Sequence, residues 1–347
     1  MAKIDDVARA AGVSKGTVSN VFSQKRPTSK QVTEKVLRAS RELNYVPNHI
    51  ARSLVTKKTM AIGLTIPHGN FFFSAFHTQF INGVVLEAST FGYRVLLDMI
   101  ADREIDTPSL ASYPIDGAIV LGPTEEDERI DMLHQNKIPF VTVGKILNSQ
   151  VTDPLTVNND NEVIMRDIVG YLTGLGHRHM TFLNAAEQTT VATVRTKAFE
   201  KVLGEKDIPF DSCSVHYKPP IHSEHYLDYG YEETVRALGG STKPTAIIAD
   251  DDRTAYCAMN AIKDAGLRVP EDVSLFVVCG DLELMYRTSP ALTSMDLVPS
   301  ELGSQAVKLL LHRLGIVEGE YEREWIVSSR INIRESCSPV RTSGNGD

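Results

Sequence analysis

The stretch Ile4-Asp-Asp-Val-Ala-Arg-Ala-Ala-Gly-Val-Ser-Lys-Gly-Thr-Val-Ser-Asn-Val-Phe22 holds two short apolar stripes separated by a glycine. Ile4, Val7, Ala8 and Ala11 fall at i, i+3, i+4 and i+7, the spacing of one face of an amphipathic helix. Gly12 stands where a helix end takes positive φ, and Ser14 offers a hydroxyl to cap the next helix. That second helix is predicted over about Lys15 to Phe22, with Val18, Val21 and Phe22 inward. Two short helices joined by a tight glycine turn form a helix-turn-helix. A third helix is expected from about Ser29 to Asn44, with Val32, Val36, Leu37, Ser40 and Leu43 inward. Such a bundle can set its second helix in the major groove of DNA. Lys15, Gly16 and Asn20 would then face base edges, where lysine donates to guanine and asparagine pairs with adenine. Thr17 and Ser19 would lie near phosphates. A helical hairpin packed on another element is the competing reading of the same stripes.

Charge by itself does not separate the DNA reading from a solvated basic helical face. Residues 1–60 carry twelve Lys or Arg and four acids, a net +8, which leaves −16 on the remainder of a chain whose total is −8. A basic head on an acidic body points one end at a polyanion. The full length of 347 residues exceeds one comfortable core, so two or three domains are expected. The four cysteines, Cys213, Cys257, Cys279 and Cys337, show neither CxxC spacing nor a disulfide framework, which fits a reducing compartment and no metal site. The start MAKIDDVARA has no apolar signal core, and no apolar run is long enough to span a bilayer. A cytoplasmic protein without a membrane segment is the expectation.

Immediately downstream come Tyr45-Val-Pro-Asn48 and His49-Ile-Ala-Arg-Ser-Leu54. Together with Asp6-Val-Ala-Arg-Ala-Ala-Gly-Val-Ser14, Thr17-Val-Ser19, Leu43-Asn-Tyr45, Pro47-Asn48 and Ala51-Arg-Ser-Leu54, they resemble the lactose/galactose repressor (LacI/GalR) family of transcriptional regulators. The resemblance implies a hinge helix over about Pro47 to Val55 that orders on DNA, with Asn48 and Ala51 at the DNA surface. It implies that Leu54 is a wedge entering the minor groove, where unstacking is offset by bending. Relatives often carry Arg where Asn20 stands, so their operator sequence does not transfer.

From Met60 onward, apolar strand-like runs alternate with helical ones. Met60–Pro67, Tyr93–Met99, Asp116–Leu121, Pro139–Val143, His179–Asn184, Thr245–Ala249 and Val273–Val278 read as buried strands. Phe73–Phe91, Asn161–Leu175, Thr193–Glu205 and Arg253–Ala265 read as helices. Such alternation implies parallel sheets covered by helices on both faces. A crossover near 144–160 is expected to split the body into two halves. Asp116-Gly117, Leu175-Gly-His177, Val269-Pro-Glu-Asp-Val-Ser274, Pro290-Ala-Leu-Thr293 and Arg334-Glu-Ser336 extend the resemblance over nearly the whole chain. It implies an all-α helix-turn-helix head and an α/β periplasmic-binding-protein-like body of two doubly wound parallel-sheet subdomains. The expected segments are a head at 1–45, hinge and linker at 46–59, an effector-binding and dimerisation body at 60–338, and a tail at 339–347. Two departures stand out. The connection from Met99 to Asp116 is too short for the usual helix, and the turn Val278-Cys-Gly-Asp281 is one residue longer than the family's.

Ligands of such folds bind at the carboxyl ends of the strands. Matching strand ends gives Phe72, Phe73, Gly144, Lys145 and Arg195 on one side of the cleft. The other side offers His225 or Tyr226, Asp251 or Asp252, and Asp281. Carboxylates and arginine suit vicinal hydroxyls, which makes a sugar or sugar derivative the expected effector. Asp252 fits the cap of the next helix and Asp251 the ligand. Core packing competes for Phe72 and Phe73, and an anionic effector or open solvent for Lys145. His177 is assigned a structural role.

No GxSxG, P-loop or HExxH motif occurs, so neither an enzyme nor a cofactor is expected. The tail has no apolar heptads, which favours a homodimer on a pseudo-palindromic double-stranded operator over a tetramer. The resulting expectation is a repressor of carbohydrate-utilisation genes whose operator affinity responds to an effector in the cleft. The rival classes are a regulator of the same fold under a protein co-repressor or a nucleobase, and a solute-binding protein.

Overall fold

The computed structural model describes residues 2–23, 26–45, 58–67, 73–100, 110–147, 151, 153–220, 223–279 and 282–341. They separate into two compact units, one of residues 1–60 with 114–116, the other of 61–113 with 117–347.

The first unit is a three-helix bundle of α1 (Ile4–Ala11), α2 (Lys15–Ser23) and α3 (Lys30–Glu42). Gly12 ends α1 at φ 65°, in the left-handed region, and returns its N–H to Arg9 and Ala8 carbonyls. Ser14 Oγ accepts from Thr17 N at 3.1 Å and so opens α2. Val7, Ala8, Val18, Val21, Val36 and Ala39 close the core, with Phe22 and Tyr45 rings 5.8 Å apart at its edge. One expectation for α3 is corrected here. Leu37 and Leu43 are exposed, and the buried stripe runs through Val36, Ala39 and Ser40. Leu37 follows Val36 by one residue, about 100° round the helix, which turns it away from the bundle axis.

The second unit contains two six-stranded sheets. Its elements, in order, are β1 (Ala61–Pro67), α4 (Ala75–Thr90), β2 (Arg94–Ile100), β3 (Gly117–Leu121), α5 (Glu128–Gln135), β4 (Phe140–Val143) and β5 (Thr156–Asn158). Then come α6 (Asn161–Gly174), β6 (Met180–Ala186), α7 (Thr190–Glu205), β7 (Ser214–Lys218), α8 (Tyr229–Gly239), β8 (Ala246–Ala249), α9 (Asp252–Asp264) and β9 (Ser274–Cys279). The chain closes with α10 (Leu282–Arg287), β10 (Thr293–Asp296), α11 (Pro299–Arg313), β11 (Glu324–Ile326) and β12 (Arg330–Asn332). Strand order is β11-β5-β4-β3-β1-β2 in one sheet and β12-β10-β9-β8-β6-β7 in the other. All pairings are parallel except β10 with β12. Continuous apolar runs such as Ala246-Ile-Ile-Ala249 suit strands buried on both faces.

The crossover expected near 144–160 is present, and two further passages join it. β5 lies inside that segment but belongs to the first sheet. The chain passes to the second half after Asn158, returns after Asp296 so that α11 packs on α4, and passes again between β11 and β12. Asn159 ties the three passages together: its buried Nδ2 donates to Leu297 O at 3.1 Å and to Val327 O at 2.8 Å. Between β2 and β3, where no full helix was expected, the described residues include a 3-10 turn at Leu110–Ser112.

Candidate functional site

In the bundle, α2 presents its first turn to solvent. Lys15 and Gly16 are exposed, while Thr17, Ser19 and Asn20 are half-buried. Lys15 Nζ lies 3.1 Å from Asp5 Oδ2, an exposed pair that a stronger anion can displace. Thr17 Oγ1 is 2.9 Å from Ser14 Oγ. A Cβ added at Gly16 would meet only Ser14 Oγ, at 3.6 Å, so the fold does not require glycine there. Asn48, Ala51 and Leu54 lie outside the described residues.

In the second unit a cavity of about 320 Å³ opens at the C-terminal ends of both sets of parallel strands. The first half contributes Ser74, Phe76 and His77 from α4, Leu121–Thr124 after β3, Gly144 after β4 and Asn159 after β5. The second half contributes Thr190 and Arg195 of α7, Lys218 at the end of β7, Tyr226, and Asp250–Asp252 after β8. Along one rim the halves touch directly. Glu125 N donates to Gln188 O at 3.2 Å, Thr190 N to Pro123 O at 3.1 Å, and Thr193 Oγ1 to Glu125 Oε1 at 2.9 Å.

Arg195 reaches the cavity from the second turn of α7, which Thr189 caps. This helix starts one turn earlier than the sequence pattern suggested. Arg195 Nε donates to Asn161 Oδ1 at 2.9 Å, and its two terminal nitrogens have no partner among the described residues. Burial lowers the guanidinium to about 10, against a weaker opposing pull from Asp250, so it stays charged at neutral pH. Burial also depresses His77, more than Asp251 raises it, and the ring sits 2.8 Å from Ser74 Oγ.

Lys218 faces two carboxylates. Its Nζ is 3.1 Å from Asp250 Oδ1 and 2.6 Å from Asp251 Oδ2, with side chains only 8% exposed for both Lys218 and Asp250. Burial works to lower Lys218, but Asp250 and Asp251 more than reverse this and hold its ammonium well above the usual range. Burial pushes Asp250 up. Burial opposes ionisation of Asp251 too, yet Lys218 and the N–H of Thr254 override it and hold that carboxyl low.

Of the residues expected in the cleft, Arg195 and Asp251 line the cavity; Phe73, Lys145 and His225 do not. Phe73 is exposed, because Ser74 caps α4 and turns Phe76 and His77, not Phe73, into the cavity. Gly144, at φ 117° and within 2.8 Å of Pro123 Cδ for an added Cβ, redirects the chain. Lys145 consequently points along the sheet edge and pairs with Glu324 at 3.5 Å. His225 is drawn to Glu232 at 3.0 Å on the exterior, and Tyr226 takes the inward place. The cap of α9 is corrected as well: Asp251, not Asp252, accepts from Thr254 N, at 2.7 Å. Phe72 and Asp281 lie outside the described residues. His177 is buried and spans Thr245 Oγ1 at 2.9 Å and Ser338 O at 3.1 Å, a structural post. Sequence reading missed Lys218, Asn159 and Asn161. Lys218 ends a strand that had not been recognised, and Val157-Asn-Asn-Asp-Asn161 gives no periodic signal. Among the described residues, no group of three or more His, Cys, Asp or Glu could hold a metal, and no helix is long and apolar enough to cross a membrane.

Comparison with known proteins bears on both units. Residues 3–48 match bacterial regulatory proteins of the lacI family, and residues 169–337 match a periplasmic binding protein-like domain. Catabolite control protein A of Priestia megaterium is 27% identical over 312 residues, 88% of this chain and 91% of that protein. An HTH-type transcriptional repressor, PurR, of Vibrio cholerae serotype O1 is 29% identical over 329 residues, 93% of this chain and 94% of that one. The structure of the lac repressor dimer bound to operator and the anti-inducer ONPF matches with a TM-score of 0.79 at 25% identity, covering 97% of this chain and 99% of that one.

Proposed function

This chain belongs to the lacI family of bacterial regulatory proteins and is a DNA-binding transcriptional regulator, and from that premise we propose that it represses carbohydrate-utilisation genes and is released by a small effector bound in its cavity. Two copies read a pseudo-palindromic operator. Lys15, Gly16 and Asn20 face base edges, Thr17 and Ser19 support them at phosphates, and Asn48, Ala51 and Leu54 of the hinge serve the minor groove. Support for the dimer comes from exposed apolar side chains on α4 and the neighbouring edge strand β2, namely Val85, Leu86, Leu96 and Leu97. The lac repressor, its structural relative, is itself a dimer on operator with a small molecule bound.

The observation that carries the effector half is Arg195. Among the described residues the terminal N–H groups of this buried guanidinium meet no acceptor, and the side chain opens into a cavity of a small molecule's size. An oxygen-rich ligand supplies those acceptors and touches walls from both halves. Its binding alters the angle between them, and operator affinity shifts by a reciprocal coupling. The test has two steps. A thermal-shift screen over sugars, sugar phosphates, uronates and nucleobases finds the ligand, because a tight binder stabilises the native state by mass action. Arg195→Ala should then keep operator binding in a mobility shift yet lose the ligand's effect. A full ligand response in the variant removes Arg195 from the site. Stabilisation by nucleobases alone replaces the carbohydrate assignment.

A further inference from the structure

The carboxylates Asp250 and Asp251 do not greet a ligand bare. Lys218 projects from the last position of an edge strand and places its ammonium between them, at 3.1 and 2.6 Å. Two aromatic rings also flank the ammonium, with Nζ 5.8 Å from the Tyr226 ring centroid and 5.9 Å from that of Tyr229. Two carboxylates and two tyrosine faces make the environment that binds a free alkylammonium. The carboxylate oxygens are otherwise engaged by α9 itself. Thr254 Oγ1 donates to Asp250 Oδ1 at 3.1 Å, and Thr254 N to Asp251 Oδ1 at 2.7 Å.

This corner is part of the ligand cavity, not a core ion pair remote from it. Lys218 and Asp251 line both the main cavity and a side chamber of about 40 Å³ that Ser74, His77 and Tyr226 also bound. Asp252, the other acid on the lining, stands in the first turn of α9, where helix N–H groups face it. The charged groups are therefore unequal partners for a ligand. Lys218 and its acids satisfy one another, whereas the terminal donors of Arg195 meet no acceptor among the described residues.

We propose that Lys218 is a specificity-determining residue of this cavity: its ammonium is a tethered occupant of an acidic, aromatic-walled corner, so the effector carries no positive charge and is held through oxygen acceptors on Arg195. The proposal rests on the reading of this cavity as the effector site. An amine-bearing ligand would have to displace a cation held at high effective concentration by its own backbone. A neutral or acceptor-rich ligand meets no such competitor.

Chemical rescue tests it. Lys218→Ala deletes the ammonium and three methylenes, the size of n-propylammonium. The variant should melt several degrees below the parent protein, since the largely buried Asp250 and the partly buried Asp251 lose their cation. Millimolar n-propylammonium chloride should restore much of that loss saturably, n-propanol should not, and the parent protein should not respond. If Lys218→Ala does not fold unaided, recovery of its circular dichroism by propylammonium but not by propanol counts in the same sense. Equal rescue by propanol means that Lys218 only fills space and overturns the proposal, as does an equal shift of the parent protein. Stabilisation of the parent protein by glucosamine or galactosamine, but not by glucose or galactose, overturns it too. Rescue involves neither operator nor effector, so its failure leaves the repressor reading standing. Failure of the Arg195→Ala test, in turn, leaves the rescue result intact.

Discussion

Asp127 and Arg129 form a pair with nearly buried side chains and 2.6 Å between Asp127 Oδ2 and Arg129 Nη2. Arg129 also donates to Leu121 O at 3.2 Å and Gly122 O at 3.1 Å, while Asp127 accepts from Thr124 N at 3.0 Å. Two side chains thus staple the turn that forms one wall of the cavity. Burial opposes the charge on Asp127, but the hydrogen bonds and charge of Arg129 win and hold its carboxyl below its ordinary 3.8. A carboxyl with a depressed folded pKa binds protons better when unfolded. Its stabilisation is therefore present above the unfolded value and lost as pH falls through the folded one. Asp127→Asn should cost about 3–5 kcal/mol at pH 7, because Arg129 keeps a buried charge without a counter-ion. The gap from the parent protein, read by urea unfolding, should narrow as pH falls from 5 toward 3. A gap independent of pH would show that the carboxylate's charge contributes nothing. None of this pairing was read from sequence. Asp127 and Arg129 are only two positions apart, and what makes them matter is the turn they bury under.

At the scale of elements, helices α4 and α11 cross through two glycines. A Cβ at Gly83 would lie 2.0 Å from Ser300 O, and one at Gly303 would lie 2.4 Å from Phe80 O. Each contact is with backbone, which cannot swing aside. Gly83→Ala should therefore destabilise by about 1–3 kcal/mol or more. Gly170 in α6 meets nothing within 4 Å, so Gly170→Ala should stabilise by about 0.5–1 kcal/mol through helix propensity. Thermal melts of the two variants check the pair of signs, and a stable Gly83→Ala protein would show that the helices separate easily. Element existence was largely legible in the sequence, because apolar stripes and caps are local. Element ends were less so. α7 begins at Thr190 and Asp251 caps α9, since which hydroxyl or carboxylate reaches a helix N–H depends on backbone geometry.

At the scale of the molecule, three chain passages join the two halves and meet at the side chain of Asn159. Asn159 also lines the cavity, so a ligand bound there would lie beside the point at which the halves are joined. Assembly belongs to the same scale. Leu97 is 41% exposed and Leu86 is 66% exposed on elements that pack together. Leu97→Glu is expected to leave the fold intact, give monomers in analytical ultracentrifugation and weaken operator binding at least tenfold, the cost of losing about 1.4 kcal/mol of coupling between two heads. A dimer with unchanged sedimentation would place the interface elsewhere.

The sequence by itself determined the helix-turn-helix, the basic head on an acidic body, and the alternation of strands and helices. Each rests on spacing or composition within a few turns of chain. Tertiary structure decided the rest. β5, β11 and β12 are three residues each, too short to show a period, and β11 gains its partner from Thr156–Asn158, far back in the chain. Lys218 meets carboxylates more than thirty residues away because β7 and β8 flank β6 in one sheet. Burial then removes the water that would have screened those charges, and an isolated lysine at a strand end becomes the partner of two aspartates. Arg195 was put forward by the family resemblance, and it lines the cavity. Its open donors, and the corner that Lys218 already fills, exist only once the sheets are assembled.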